Sequence, residues 1–115
     1  MGQGRGLAGR IERGEVRLYR FAAPDKERPV LVLTRGSAIP YLSRVTVAPI
    51  TSTIRGVPSE VALGTEDGLR QSCAANLHNV MTVAQQGVGR RLAQLGPRRM
   101  HEVCAALAFA FGCDG

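Results

Sequence analysis

The residues best suited to chemistry are Arg28 and the run Thr51-Ser52-Thr53, which is followed by Arg55 and Gly56. Hydroxyls, backbone N–H groups and a guanidinium gathered at one strand end suit a phosphate. The alternative is a polar turn in which Ser52 and Thr53 bond their own backbone. Lys26-Glu27-Arg28 could likewise be a solvated turn. Other chemistries find less support. There is no G-x-x-x-x-G-K-[ST] phosphate loop, Gly87-x-Gly89 is only a fragment of a glycine pattern, and no serine sits in G-x-S-x-G. Cys73, Cys104 and Cys113 are odd in number and form no C-x-x-C pair, which predicts buried or reduced thiols rather than a metal cluster. His78 and His101 are too few for a metal site of their own.

Whether Arg28 and Thr51 can meet depends on the elements that carry them. Pro29–Thr34 is a short continuous apolar run, the signature of a central buried strand. Arg44–Ile50 is β-branched and alternating, and Pro49, which cannot donate to a ladder, belongs at a bulge or a free edge. The linker between the two strands contains Gly36 and Pro40, so antiparallel pairing is the simplest arrangement. Pairing Thr34 with Val45 then puts Arg28 opposite Thr51. A slip of two residues would still leave them diagonal neighbours, ~7–8 Å apart.

Alternation predicts another strand at Glu15–Phe21, and further short strands are expected near Ser59–Leu63, Gln71–Ala75, Val80–Val83 and Gly89–Leu95. Then the period changes. Gly96-Pro97 opens a helix whose apolar face is Met100, Val103, Cys104, Leu107 and Phe111, and Gly112 ends it. The pattern predicts a mainly β fold with a C-terminal helix, a small, strongly bent antiparallel sheet or barrel. Residues 1–12, rich in glycine and arginine, read as a flexible tail, and 13–115 as a single domain.

Charge narrows the partner. The 115 residues carry a formal net charge of +6, and arginine supplies 14 of the 15 basic positions, Lys26 being the lone lysine. Arginine's planar fork of donors suits phosphate, and the excess points to a polyanionic partner. An apolar fraction of 44% with 21% charged residues excludes a mainly disordered chain. No apolar run approaches the ~18–20 residues of a membrane span, and the N-terminus lacks a secretory signal, so a cytoplasmic domain with no membrane partner is expected.

The segments Arg13-Gly14-Glu15-Val16, Arg28-Pro29-Val30-Leu31-Val32-Leu33 and Val45-Thr46-Val47-Ala48-Pro49-Ile50-Thr51-Ser52-Thr53-Ile54-Arg55-Gly56 resemble the MazF/PemK family of toxins. The likeness continues through Glu60-Val61-Ala62-Leu63, Gly89-Arg90-Arg91-Leu92 and the final helix. It implies an SH3-like barrel of the MazF/PemK/CcdB type, a homodimer, and cleavage of single-stranded RNA without a metal or other cofactor. It also implies a cognate antitoxin that lays a peptide over the RNA site. In that family the ribose 2′-hydroxyl attacks the adjacent phosphate, leaving a 2′,3′-cyclic phosphate and a 5′-hydroxyl. Arg28 matches the catalytic arginine and Thr51 the catalytic threonine. Lys26, Ser52, Thr53, Arg55 and Asn79 are the expected RNA contacts.

Two departures bear on function. The segment from Gly14 to Arg28 is shorter than in many members, so base preference does not carry over from the resemblance. At Leu77-His78-Asn79, relatives commonly have an acidic residue and then glutamine. His78 takes the acidic slot, where a group titrating near ~6.5 would suit proton transfer; a surface or hydrogen-bonded histidine is the alternative. Two other functions remain open for this fold, a non-enzymatic poison of DNA gyrase and a catalytically silent RNA- or antitoxin-binding relative. A gyrase poison would have no need of Arg28 and Thr51.

Overall fold

The computed structural model describes residues 10–22 and 26–114; most of the expected tail, residues 1–9, lies outside them. Seven strands form in the expected order: β1 (Glu15–Arg20), β2 (Glu27–Val32), β3 (Arg44–Thr51), β4 (Glu60–Leu63), β5 (Cys73–Asn76), β6 (Met81–Ala84) and β7 (Val88–Gln94). Among the described residues one α-helix, α1 (Pro97–Phe111), follows. The strands run β4-β5-β3-β2-β1-β7, with β6 also paired to β3, and every pairing is antiparallel. The sheet curls into a half-barrel, and α1 covers one face.

The pairing of β2 with β3 sets the register: Val30 faces Pro49, Leu31 faces Ala48 and Val32 faces Val47. This is the expected register, and the bond from the Leu33 N–H to the Thr46 carbonyl (2.9 Å) extends it past the strand ends. Residues 30–32 are fully buried on both faces, as a continuous apolar run requires. Leu31 joins the larger core with Val16, Ala48, Leu77, Leu95 and the helix residues Met100, Val103 and Ala106. Val30 and Val32 join a smaller core with Tyr19, Ile39, Val45, Val47, Val83 and Val88.

On its far edge β3 changes partner. Arg44–Val47 pair with β6, while Ile50 and Thr51 pair with β5. Residues 48 and 49 fall between those two stretches, so Pro49 sits at the joint, where a missing N–H interrupts no continuous ladder.

The helix begins after Gly96 with Pro97 in its first turn and ends at Gly112, whose φ of 74° lets the backbone reverse. Its buried stripe is Met100, Val103 and Ala106, with Leu107 half-buried. Cys104 and Phe111 were expected on that stripe but are exposed, Phe111 by 62%. The helix is turned so that small Ala106 meets the sheet. All three thiols are free, with Cys73 buried and Cys104 and Cys113 exposed.

Two arginines are consumed by structure. Arg17, 3% exposed, donates from Nε to Glu15 Oε1 (2.8 Å), from Nη1 to the Gly89 carbonyl (2.8 Å) and from Nη2 to the Arg10 carbonyl (3.0 Å). Glu15, 2% exposed, also accepts from the Glu12 N–H at 2.9 Å. This pair ties β1 to β7 and to the chain preceding β1. Arg99 docks α1 onto the β4–β5 connection through two bonds to Asp67 (2.8 and 3.1 Å) and one to Glu66 (3.0 Å), and Glu102 one turn along the same helix steadies the guanidinium at 2.9 Å. Burial pushes the Asp67 carboxyl up. The Arg99 guanidinium and the Gly64 N–H outweigh it and hold the group below the ordinary carboxylate value.

Arg17→Met leaves the buried Glu15 carboxylate with only the Glu12 N–H and a loose contact to Arg91 at 3.7 Å, and urea unfolding should show a loss of about 3 kcal/mol, of which Arg17→Lys recovers only part. Because the Asp67 carboxyl titrates lower in the folded chain than in the unfolded one, its stabilising effect is complete above about pH 5. It fades as pH falls below about 4. Asp67→Asn should therefore be less stable than wild type at pH 7 by about 1.5–3 kcal/mol, and the gap should narrow in acid, as thermal melts across pH 3–7 will measure.

Candidate functional site

Antiparallel partners project to the same face of a sheet. Tyr19 is paired with Arg28 and Val30 with Pro49. Alternation along β2 and β3 then places Arg28 and Thr51 on that shared face, beyond the smaller core. The β2–β3 ladder stops at Val30 and Pro49, because β3 turns away to β5 at Ile50. The two strand ends therefore splay apart instead of closing a further rung.

The splay opens a cleft of about 210 Å³ lined by Phe21, Arg28, Pro29, Val30, Pro49, Ile50 and Met81. Phe21 stacks edge-on against Tyr19, with ring centroids 4.8 Å apart, which fixes one wall. Arg28 is exposed, and among the described residues no hydrogen bond or ion pair engages its guanidinium. Its donors face solvent at the rim of an apolar cleft. The neighbouring Arg20 and Glu27 form only a loose pair at 3.7 Å, both largely exposed.

Thr51 is the last residue of β3 and half-buried. Its Oγ1 accepts a hydrogen bond from the Thr53 N–H at 3.1 Å. Both readings of the hydroxyl run meet here: the local bond forms, yet it uses an oxygen lone pair and leaves the Thr51 O–H proton free to donate. Ser52, Thr53 and Arg55 are exposed in the connection from β3 to β4. That connection is held at its far end by Glu60, whose Oε1 accepts from the N–H groups of Arg55 (2.9 Å) and Gly56 (3.0 Å). Lys26 lies exposed just before β2.

His78 and Asn79 are exposed on a single 3-10 turn, Leu77–Asn79, between β5 and β6. They flank β3 on the edge opposite β2. His78 Nδ1 lies 2.5 Å from the hydroxyl of buried Ser59, and its backbone N–H donates to Asn76 Oδ1 at 3.1 Å. Among the described residues no hydrogen bond links His78 to Arg28 or Thr51, and no group of three or more His, Cys, Asp or Glu side chains converges to hold a metal ion. The sequence reading missed the apolar walls, Phe21 and Met81, which come from strands distant in the chain. Phe21, closing an alternating strand next to Arg20, was the only signal for one of them.

A half-barrel of short antiparallel strands, covered on one side by a C-terminal helix, presents at one strand end a threonine hydroxyl and an arginine that no carboxylate engages among the described residues. The model for PemK-like, MazF-like toxins of type II toxin–antitoxin systems matches residues 12–111. The chain belongs to this PemK/MazF toxin family. It is 43% identical over 103 residues to a probable endoribonuclease, MazF5, of Mycobacterium tuberculosis, covering 89% of this chain and 94% of that one. It is 38% identical over 104 residues to a second from the same species, MazF2, covering 90% and 100%. Among solved structures, the Mycobacterium tuberculosis toxin MazF-mt6 superposes with a TM-score of 0.80 at 35% identity, over 88% of this chain and 99% of that one. A mycobacterial endoribonuclease in complex with its cognate antitoxin superposes at 0.77 with 26% identity, over 89% and 95%.

Proposed function

We propose that the Arg28–Thr51 face cuts single-stranded RNA by attack of a ribose 2′-hydroxyl on its own 3′-phosphate. The activity class is that of the relatives, which are named endoribonucleases. They favour RNA cleavage over gyrase poisoning or a silent binder. The observation that carries the mechanism is the unpaired guanidinium of Arg28 on the same sheet face as a threonine hydroxyl whose proton is free to donate.

The reaction forms a P–O2′ bond and breaks the P–O5′ bond. The 2′-hydroxyl loses a proton and O5′ gains one, giving a 2′,3′-cyclic phosphate and a 5′-hydroxyl. Negative charge on the equatorial oxygens grows at the pentacoordinate stage, and that is where preorganised donors act most strongly. Arg28 clamps those oxygens through two N–H groups, with the Thr51 O–H donating beside it. A guanidinium that stays protonated is a poor base, so the proton steps fall elsewhere. His78 is the group assigned to them, an exposed residue whose Nδ1 is held by Ser59. The cleft walled by Phe21, Pro49 and Met81 accepts a base or ribose flanking the cut. Lys26, Ser52, Thr53, Arg55 and Asn79 contact the strand around it.

In this reading residues 13–115 are the toxin domain, preceded by a tail, and the protein works in the cytoplasm as a homodimer. No helix among the described residues is long and apolar enough to cross a membrane. A cognate antitoxin neutralises it, as the antitoxin-bound relative suggests.

Purified protein given a long RNA in the presence of a chelator should produce discrete fragments with cyclic phosphate ends. Arg28→Ala and Thr51→Val should lower kcat/KM by about 10²–10³-fold, in line with loss of one transition-state donor; intact rates in both would sink the assignment. His78→Gln should lower kcat at least tenfold with a smaller change in KM. An unchanged kcat would make His78 a tether for Ser59 alone.

A further inference from the structure

We infer that Glu60 is a positioning residue for the cleavage reaction, holding the backbone from Thr51 to Gly56 in the conformation that aims the Thr51 hydroxyl. The inference rests on the assignment of Arg28 and Thr51 to the phosphate. Glu60 begins β4, on a rigid two-stranded ladder in which it faces Asn76, whereas residues 52–58 are exposed and belong to no strand. Such a segment buries too little apolar surface to fix its own path. Polar bonds must do it.

One carboxylate oxygen supplies two of them. Glu60 Oε1 accepts from successive backbone N–H groups, Arg55 at 2.9 Å and Gly56 at 3.0 Å. Successive N–H groups converge on one anion when a left-handed residue follows, and Gly56 has a φ of 73°. The Glu60 N–H closes the same loop onto the Val57 carbonyl at 3.0 Å. From this anchor the chain runs back through Ile54 to Thr53, whose N–H occupies a lone pair of Thr51 Oγ1. That bond decides where the remaining Thr51 O–H proton can point. Glu60 therefore touches no substrate and acts through Thr53 on Thr51.

The test compares Glu60→Ala and Glu60→Gln on the full chain, with RNA cleavage kinetics and the rate of trypsin cutting after Arg55 as readouts. Glu60→Ala should lower kcat at least tenfold with a smaller change in KM, since the Thr51 donor is used most in the transition state. It should also speed cutting after Arg55. Glu60→Gln keeps an oxygen acceptor and should restore kcat to within about threefold of wild type, because the inferred role needs a lone pair more than a charge. Wild-type kcat and trypsin rate in Glu60→Ala, or a Glu60→Gln variant as impaired as Glu60→Ala, would overturn the role. A lowered melting temperature with kcat per folded molecule unchanged would overturn it too, leaving Glu60 a purely structural residue. Arg28→Ala run alongside separates the two levels. If Arg28→Ala is inactive and Glu60→Ala is not impaired, only the positioning role fails. If Arg28→Ala retains full activity, the phosphate assignment fails, and with it the route by which Glu60 acts.

Discussion

The β2–β3 register is the constraint from which the rest of the site follows. Side chains alternate along a strand, so a shift of one residue in β2 would carry Arg28 to the opposite face of the sheet. The shift is forbidden by burial. Val30 and Val32 fill one core and Leu31 the other, all without exposed surface, and each must keep its neighbours to avoid leaving cavities. The apolar run that looks like mere core is thus what aims the guanidinium two residues upstream. Thr51 inherits its direction in the same way from Val45, Val47 and Pro49.

Register alone would close a flat ladder and leave no room for a ligand. Pro49 and the change of partner at Ile50 prevent that, because β3 bends toward β5 just where β2 continues straight. The bend creates the cleft and leaves strand-end groups without ladder partners. It also divides the cations by task. Arg17 and Arg99 are saturated by carboxylates and carbonyls and serve the fold. Arg28 has no such partner among the described residues, so its field extends toward solvent and toward a polyanion.

Much of this was legible in the chain. The seven strands, the helix ends at Gly96-Pro97 and Gly112, and the pairing of β2 with β3 all follow from local pattern and a short connection. What escaped has a common cause. Arg17 lies in an alternating strand whose local pattern carries no sign that it is buried. Its burial depends on the Gly89 and Arg10 carbonyls, 72 and 7 residues away in sequence. The expected helix stripe included Cys104 because spacing of three and four tolerates either neighbour, and only the sheet surface beneath selects Ala106. Phe21 and Met81 become one cleft because β1 and β6 lie on opposite sides of the β2–β3 pair, which no local window contains. Ser59 and His78 meet across 19 positions by the same logic.

The division between what is local and what is not also separates scaffold from specificity. Arg28 and Thr51 sit on strands whose geometry the two cores fix, and the phosphate clamp proposed for them needs that rigidity. The connection from Thr51 to Ser59 presents Ser52, Thr53 and Arg55 from backbone that the cores do not hold, and the turn at Leu77–Asn79, pinned only at buried Leu77, presents His78 and Asn79 as exposed side chains. Side chains placed there can be exchanged without disturbing either core, which is how one half-barrel can serve many RNA sequences. Freedom of that kind needs a limit where the connection meets the reacting group. The bond from the Thr53 N–H to the Thr51 hydroxyl marks the boundary: upstream of it the core dictates geometry, downstream of it polar tethers do.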